Sequence, residues 1–416
     1  MKRIKSLLLI FILIICSSCS KDAPQDVTDL IVQPEAEEPM LQGTWEVYDI
    51  KNTGTNSTSQ SINIGDKLYI LLKKKSSDVE RKIFDKYQAR SESERSFTIE
   101  GEAVEVDINI FIGVRERVET YGSDPKYYYY TYSVRIEPDE DARIYKAEDI
   151  FFPRKDEFWR FKSLQNEDTG KYDSFMAYPI RLEKNINHKD NKKKYTFTDH
   201  DKDMKYNFVN ENFISFDYSS KTNDLPLNKY AMVKTDELEK NTIIEVRDYT
   251  GDKESNKVFE NIIYDEVAKN FADVKKEDIS YDFTNFGIIR NQGLWVFQTS
   301  YQLNKDDSLQ QKSFPIDIAI RDDLIIGTKK NLDVDQVKNI NNQEKDYFEL
   351  INDQYVAIQT ADELLFYKIK NGYIEINPAF YIPFNNPTQI VMFEQGLGSY
   401  AHKWEKAFTE NNVIIR

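Results

Sequence analysis

Cysteine is nearly missing from this chain of 416 residues: there are two, Cys16 and Cys19, both inside the first twenty. Beyond that point a disulfide framework, a thiolate nucleophile and a cysteine-based metal site are all excluded. Histidine is almost as scarce, with only His188, His200 and His402. Neither the Gly-x-Ser-x-Gly elbow of serine hydrolases nor the His-Glu-x-x-His helix of metalloproteases occurs. Positive charge is in deficit too. Lys+Arg 56 against Asp+Glu 71 gives -15, and residues 1–18 hold three basic residues and no acid, so the chain after residue 18 carries about -18. Such a surface repels phosphate, which excludes a nucleic-acid partner. Glycine is low at 14, whereas Tyr 26 and Phe 25 are abundant, a balance that favours strands.

The longest apolar run, Leu7 to Ile15, lies at the start behind Lys2, Arg3 and Lys5. It is less than half the ~20 residues that a spanning helix needs, and it fits the middle of a secretory signal. Cys16-Ser17-Ser18-Cys19 follows. A signal peptidase needs small residues before its cut, and Ser17 and Ser18 supply them for Cys19, whereas Ile14 and Ile15 precede Cys16. This stretch resembles the lipobox of bacterial lipoproteins, with Cys16 in place of the usual aliphatic residue. Ser20-Lys21-Asp22 looks like the start of surface-exposed lipoproteins of the Bacteroidota. The resemblance implies a signal peptide over 1–18, a lipid on Cys19, and anchoring in the outer membrane with the chain facing outward. An ordinary cleaved signal with an incidental cysteine is the alternative. A diacylated cysteine carries enough acyl chain for stable anchoring. Residues 19–40 turn acidic and contain Pro24, Pro34 and Pro39, which reads as a solvated tether.

Beyond the tether, apolar residues recur mostly every second position. Val104, Val106, Ile108, Ile110 and Ile112 alternate with Glu105, Asp107 and Asn109, a strand expected to have one wet face. Leu365, Tyr367 and Ile369 lead into Asn371-Gly372 and then Ile374 and Ile376, a hairpin closed by the strongest short turn signal. Lys126 to Tyr132, with five tyrosines, reads as another strand. Two stretches take helical spacing instead: Val258, Phe259, Ile262, Ile263, Val267 and Phe271, and then Phe393, Leu397, Tyr400, Trp404 and Phe408.

Part of the sequence recurs. Phe158-Trp159-Arg160-Phe161 matches Leu294-Trp295-Val296-Phe297. Nineteen residues after each tryptophan come Tyr178-Pro179-Ile180 and Phe314-Pro315-Ile316, and five residues before each stand Arg154 and Arg290. Farther on, Val209 to Ile214 parallels Ile351 to Val356, and a third copy is suggested at Gly43-Thr44-Trp45. The expectation is a mainly β fold of repeated sheets, propeller-like, with a small helical insertion and a C-terminal helix. The corresponding divisions are 41–227, a partly helical insertion at 228–282, and 283–416. Gly43-Thr44-Trp45 also resembles the opening of lipocalin-like domains, and this implies the alternative, a β-barrel followed by a second β domain.

Motifs for chemistry are few, and each has a plainer account. Gly396, Gly398 and Ala401 imitate a dinucleotide fingerprint, but the chain ends at Arg416, too soon for the acidic residue needed about 20 positions on. A strand entering a packed helix is expected there, with no cofactor. Asp199, Asp201 and Asp203 alternate as calcium ligands do, yet Met204 stands where the loop needs glycine and Asn210 where it needs glutamate. The tyrosine run can stack on sugars or a partner, or can fill both faces of a strand. Glu394 to Tyr400 resembles the closing motif of a group of bacterial lipoproteins of no assigned activity, and so implies no catalytic residue. The functional expectation is a lipid-anchored binding or assembly module for a glycan or protein ligand, without catalytic or metal residues. The alternative is a surface hydrolase using paired carboxylates.

Overall fold

The computed structural model describes residues 107–415 apart from 120, 123, 139, 223–224, 272, 306–307, 317, 319–331, 333, 352–353 and 371–372, together with four short strands among residues 45–99. The chain divides into two units, 1–104 and 105–416. In the first, β1 (Trp45–Val47) pairs antiparallel with β3 (Leu72–Lys74), and β2 (Ile50–Asn52) pairs with β4 (Phe97–Ile99). The signal, Cys19, the tether and the Trp45 side chain lie outside the described residues.

The second unit is a succession of antiparallel sheets in chain order. β5 (Ile108–Val118), β6 (Lys126–Ile136) and β7 (Arg143–Glu148) open it. β8 (Ile150–Arg154), β9 (Glu157–Leu164), β10 (Ser174–Pro179), a short helix α1 (Lys189–Lys194) and β11 (Thr196–Thr198) make the second sheet and its connection. β12 (Asp203–Val209), β13 (Phe213–Thr222) and β14 (Leu225–Lys234) form the third. Helices α2 (Val246–Thr250) and α3 (Ser255–Asn270) precede the fourth sheet of β15 (Phe286–Asn291), β16 (Leu294–Lys305) and β17 (Ser308–Ile316). After α4 (Val334–Ile340) the fifth contains β18 (Asp346–Glu349), β19 (Tyr355–Gln359), β20 (Glu363–Lys370), β21 (Tyr373–Ile374) and β22 (Phe380–Pro383). The last strand, β23 (Thr388–Leu397), returns to pair with β5, and α5 (Ser399–Asn411) follows it.

Each sheet touches the next. The ring centres of Phe111 and Phe151 are 5.5 Å apart, those of Phe175 and Phe216 6.4 Å, and those of Phe208 and Trp295 4.8 Å. Arg290 and Asp346 join the fourth sheet to the fifth, and Phe348 stacks on Phe393 at 4.3 Å to join the fifth to the first. The succession therefore closes on itself, as the propeller-like expectation required. The first and third sheets also meet directly, because the backbone N–H of Tyr206 donates to the Tyr129 hydroxyl at 3.0 Å. Three sheets thus share one aromatic core. No sheet closes into a barrel among the described residues, so the lipocalin-like alternative has no counterpart there.

Three readings change in detail. Ile108 and Ile110 are buried as expected, but so is Asn109 on the face expected to be wet. That face continues into Phe111, which stacks on Trp404 of α5. The Asn109 Oδ1 accepts a hydrogen bond from the Ser133 hydroxyl at 3.0 Å, while its Nδ2 has no partner among the described residues. Phe393 and Leu397 belong to β23 rather than to the C-terminal helix; Tyr400, Trp404 and Phe408 form its apolar side. The insertion expected from 228 has its helical part between Leu238 and Asp278, since residues up to Lys234 complete β14. Within it Phe259, Ile263 and Val267 bury one stripe of α3, the pattern that the helical spacing implied.

The recurring tryptophans occupy related places. Trp159 and Trp295 each lie near the start of the second strand of a sheet, and both are buried. The next strand differs in register: Pro179 faces Trp159, but Pro315 faces Gln298. The first copy uses its intervening residues for a nine-residue loop, the second for longer strands.

Candidate functional site

Exposed large apolar side chains occur singly at Tyr121, Val258 and Val413, and three of them fall together at the outer edge of the fifth sheet. β21 and β22 both pair with β20 and make up its outer edge. β22 alternates as an edge strand should. Phe380 stacks on Phe366 at 4.4 Å and Ile382 is buried, while Tyr381 between them points outward. Tyr373 is 77% exposed, Ile376 83% and Tyr381 55%. Pro378 and Pro383 are exposed in the same segment. Prolines on an edge are ordinary protection against strand pairing. That reason does not extend to two tyrosines and an isoleucine held in water within nine residues of chain, and such a patch suits a binding surface. Lys370 and Glu375 pair at 2.6 Å beside it, so the local charge is balanced.

The tyrosine run on β6 is placed differently. Tyr127 and Tyr129 turn to one face; Tyr128, Tyr130 and Tyr132 turn to the other. Tyr129 is in the core, and burial pushes its hydroxyl far above the usual range. On the second face the Lys146 ammonium lies 3.9 Å from the centre of the Tyr130 ring and 5.3 Å from that of Tyr132, and binds Glu116 at 2.9 Å. Burial raises the pKa of both tyrosines. Burial pulls Lys146 down, but Glu116 and Tyr132 together outweigh it and the ammonium is held above its ordinary value. A cation from the protein itself therefore covers these rings. Tyr128 alone of the five is exposed.

The alternating aspartates do not converge. Asp199 pairs with Lys202, and Asp203 on β12 accepts the Tyr172 N–H at 2.9 Å. His200 turns to a fourth carboxylate, its Nδ1 lying 2.6 Å from Asp173, which is buried and also accepts from Asn166 at 2.8 Å. Burial pushes Asp173 up, but these two hydrogen bonds prevail and hold it below the usual carboxylate range. The same bond raises the pKa of the exposed His200. No group of three metal-ligating side chains gathers among the described residues.

Close carboxylates do occur where β6 and β7 meet α5, bound to arginines. Arg143 binds Glu405 at 2.9 Å and Glu137 at 3.0 Å; Arg135 binds Glu137 at 2.8 Å and Asp107 at 2.7 Å. Bonds from Arg143 first, and then from Arg135, hold the Glu137 carboxyl down at about 2, well below the value a general acid needs. This network pins α5 to the first sheet. Gly396 serves the same junction: a Cβ there would lie 2.9 Å from the Trp404 ring. Gly396, part of the pattern that imitated a dinucleotide site, thus lets a strand and helix pack closely.

No protein-family model, no curated protein and no solved structure matches the chain. The tyrosine run is visible in the sequence, whereas the exposure of the edge from Tyr373 to Pro383 is not. Alternation puts Ile374 and Ile376 in one apolar set, whereas Ile374 is half-buried and Ile376 is open to solvent. Two prolines five residues apart in an apolar stretch were the available signal.

Proposed function

We propose that the chain is a bacterial lipoprotein, held at the outer membrane by a lipid on Cys19 and facing outward, that binds a glycan or protein ligand. The observation that carries the binding part is the exposed Tyr373, Ile376 and Tyr381 at the edge of the fifth sheet. Tyrosine offers a large flat apolar face at low cost in side-chain entropy, together with a hydroxyl that hydrogen-bonds, which suits sugar rings and protein surfaces alike. The anchoring part rests on the basic, apolar and small-residue succession that ends at Cys19.

The second and third sheets, with the fourth and fifth, are read as two copies of one two-sheet unit. In support, Arg154 and Arg290 each cross to the following sheet, where each binds one carboxylate and one backbone carbonyl.

The test is retention on immobilised polysaccharides and host surface proteins. Binding should be saturable and should fall at least tenfold in the Tyr373→Ala, Ile376→Ser, Tyr381→Ala variant, with thermal stability unchanged. Unaltered binding by that variant would remove the edge as the site. Turnover of a glycan that disappears when a single Asp or Glu becomes Asn or Gln would replace the binding reading with a hydrolase.

A further inference from the structure

Glu344 occupies the turn between α4 and β18, where its N–H donates to the Asn341 carbonyl at 3.2 Å. The residue as a whole is half-buried, but both of its carboxylate oxygens are closed off from solvent, and among the described residues neither has a hydrogen-bond partner. Among the described residues the charges that act on it are Lys338 of α4 and Asp346 of β18, and it acts in turn on Tyr347, whose hydroxyl is likewise closed off and has no partner among them. The charges of Glu349 and Arg290 act on Tyr347 as well.

Glu344 stands at the head of the strand that the fourth sheet grips. Two residues on, Asp346 receives Arg290 Nε at 2.7 Å and the Gly293 N–H at 2.6 Å. Tyr347 gives its carbonyl to Arg290 Nη2 at 2.5 Å, and its ring lies so close to Gly293 that a Cβ there would come within 2.5 Å. A neutral carboxyl can lie folded against such a junction. An ionised one without donors is strongly disfavoured there and gains by moving out to water.

We infer that Glu344 is an acid-strengthened latch on the junction between the fourth and fifth sheets. Protonated, it stays folded over the start of β18; ionised, it leaves, and the turn with the first residues of β18 loosens. Burial first, with Asp346 adding and Lys338 opposing, holds its carboxyl above the ordinary glutamate range. An acid whose folded state prefers the proton contributes stability that is complete below the ordinary pKa of about 4.3 and is lost as pH rises through the folded value. The junction should therefore tighten on acidification, opposite to the behaviour of a carboxylate in an ion pair.

Hydrogen exchange of the intact chain, read by peptide and corrected for intrinsic rates, tests this between about pH 5 and about pH 8. Protection over 344–349 and 286–297 should rise several-fold toward the acid end, while β9 and β10 stay constant. Glu344→Gln, a neutral side chain of the same shape, should hold the high protection at every pH. Lys338→Met should keep the dependence and move it to higher pH. A fall in protection on acidification, a Glu344→Gln variant that retains the wild-type dependence, or loss of the dependence in Lys338→Met would each overturn the latch.

Discussion

Arg290 lies with its guanidinium carbon 5.2 Å from the centre of the Trp295 ring, five residues along its own hairpin, while its Nε binds Asp346 in the next sheet. Arg154 does the same over Trp159 at 4.2 Å and reaches Asp236 and the Glu211 carbonyl in the third sheet. A flat cation is well suited to this position. It stacks on the indole, keeps its charge when buried, and directs separate N–H groups to two acceptors.

The two arginines should nevertheless differ in energetic weight. Asp346 is buried, whereas Asp236 is 59% exposed. Arg290→Met leaves a buried carboxylate without its cation and should cost about 3–5 kcal/mol. Arg154→Met leaves a carboxylate that water can solvate, and should cost about 1–2 kcal/mol, mostly lost packing on Trp159. Urea unfolding of the two variants measures both; equal costs would show that burial of the partner does not decide the outcome.

Gly396→Ala should destabilise the chain by about 1–3 kcal/mol, because the new methyl group meets the Trp404 ring. Trp404→Phe removes the part of the ring in the way and costs stability through the cavity it leaves. Combined, the two changes should cost measurably less than their sum. Strict additivity in thermal unfolding would mean that the glycine is not needed for the approach of helix and strand.

His200 and Asp173 should titrate as a pair. The raised pKa of His200 means that its contribution is present at lower pH and is lost as pH rises through its folded value; the depressed pKa of Asp173 means the reverse, with loss as pH falls through that value. Their bond should be strongest between the two. In Asp173→Asn the His200 ring should titrate closer to the ordinary value of about 6.5, visible in the NMR shift of its ring protons. An unchanged midpoint would mean that the 2.6 Å contact does not persist in solution.

Cys19→Ala should release the protein from the membrane fraction, since the lipid is proposed as its anchor. Labelling with a palmitate analogue should tag the wild type and miss the variant. Retention of the variant after a carbonate wash would remove the lipid anchor.

Alternation of apolar residues was enough to place β5 and the pairing of β20 with β21, because a strand's period of two is written locally, and the density of tyrosines was enough to place β6. The helical stripe of Phe259, Ile263 and Val267 was legible for the same reason. Phe393 and Leu397 misled because one apolar stretch satisfied both periods, and pairing with β5 settled which one held. Arg154 and Arg290 stood out by their equal distance from the tryptophans, but that spacing carried no information about Asp236 or Asp346 in a neighbouring sheet.

By itself, then, the sequence determined the β-rich class, the absence of disulfides beyond residue 19, and the excess of negative charge, all of which depend on composition and short-range order. Only the tertiary structure decided that the wet face of β5 is covered by α5, that Lys146 covers the tyrosines of β6, and that Tyr373, Ile376 and Tyr381 face water. The physical reason is that the burial of a side chain depends on what the rest of the chain lays over it. Here the covering elements come from as far as residue 404, across some 290 positions of sequence from Phe111.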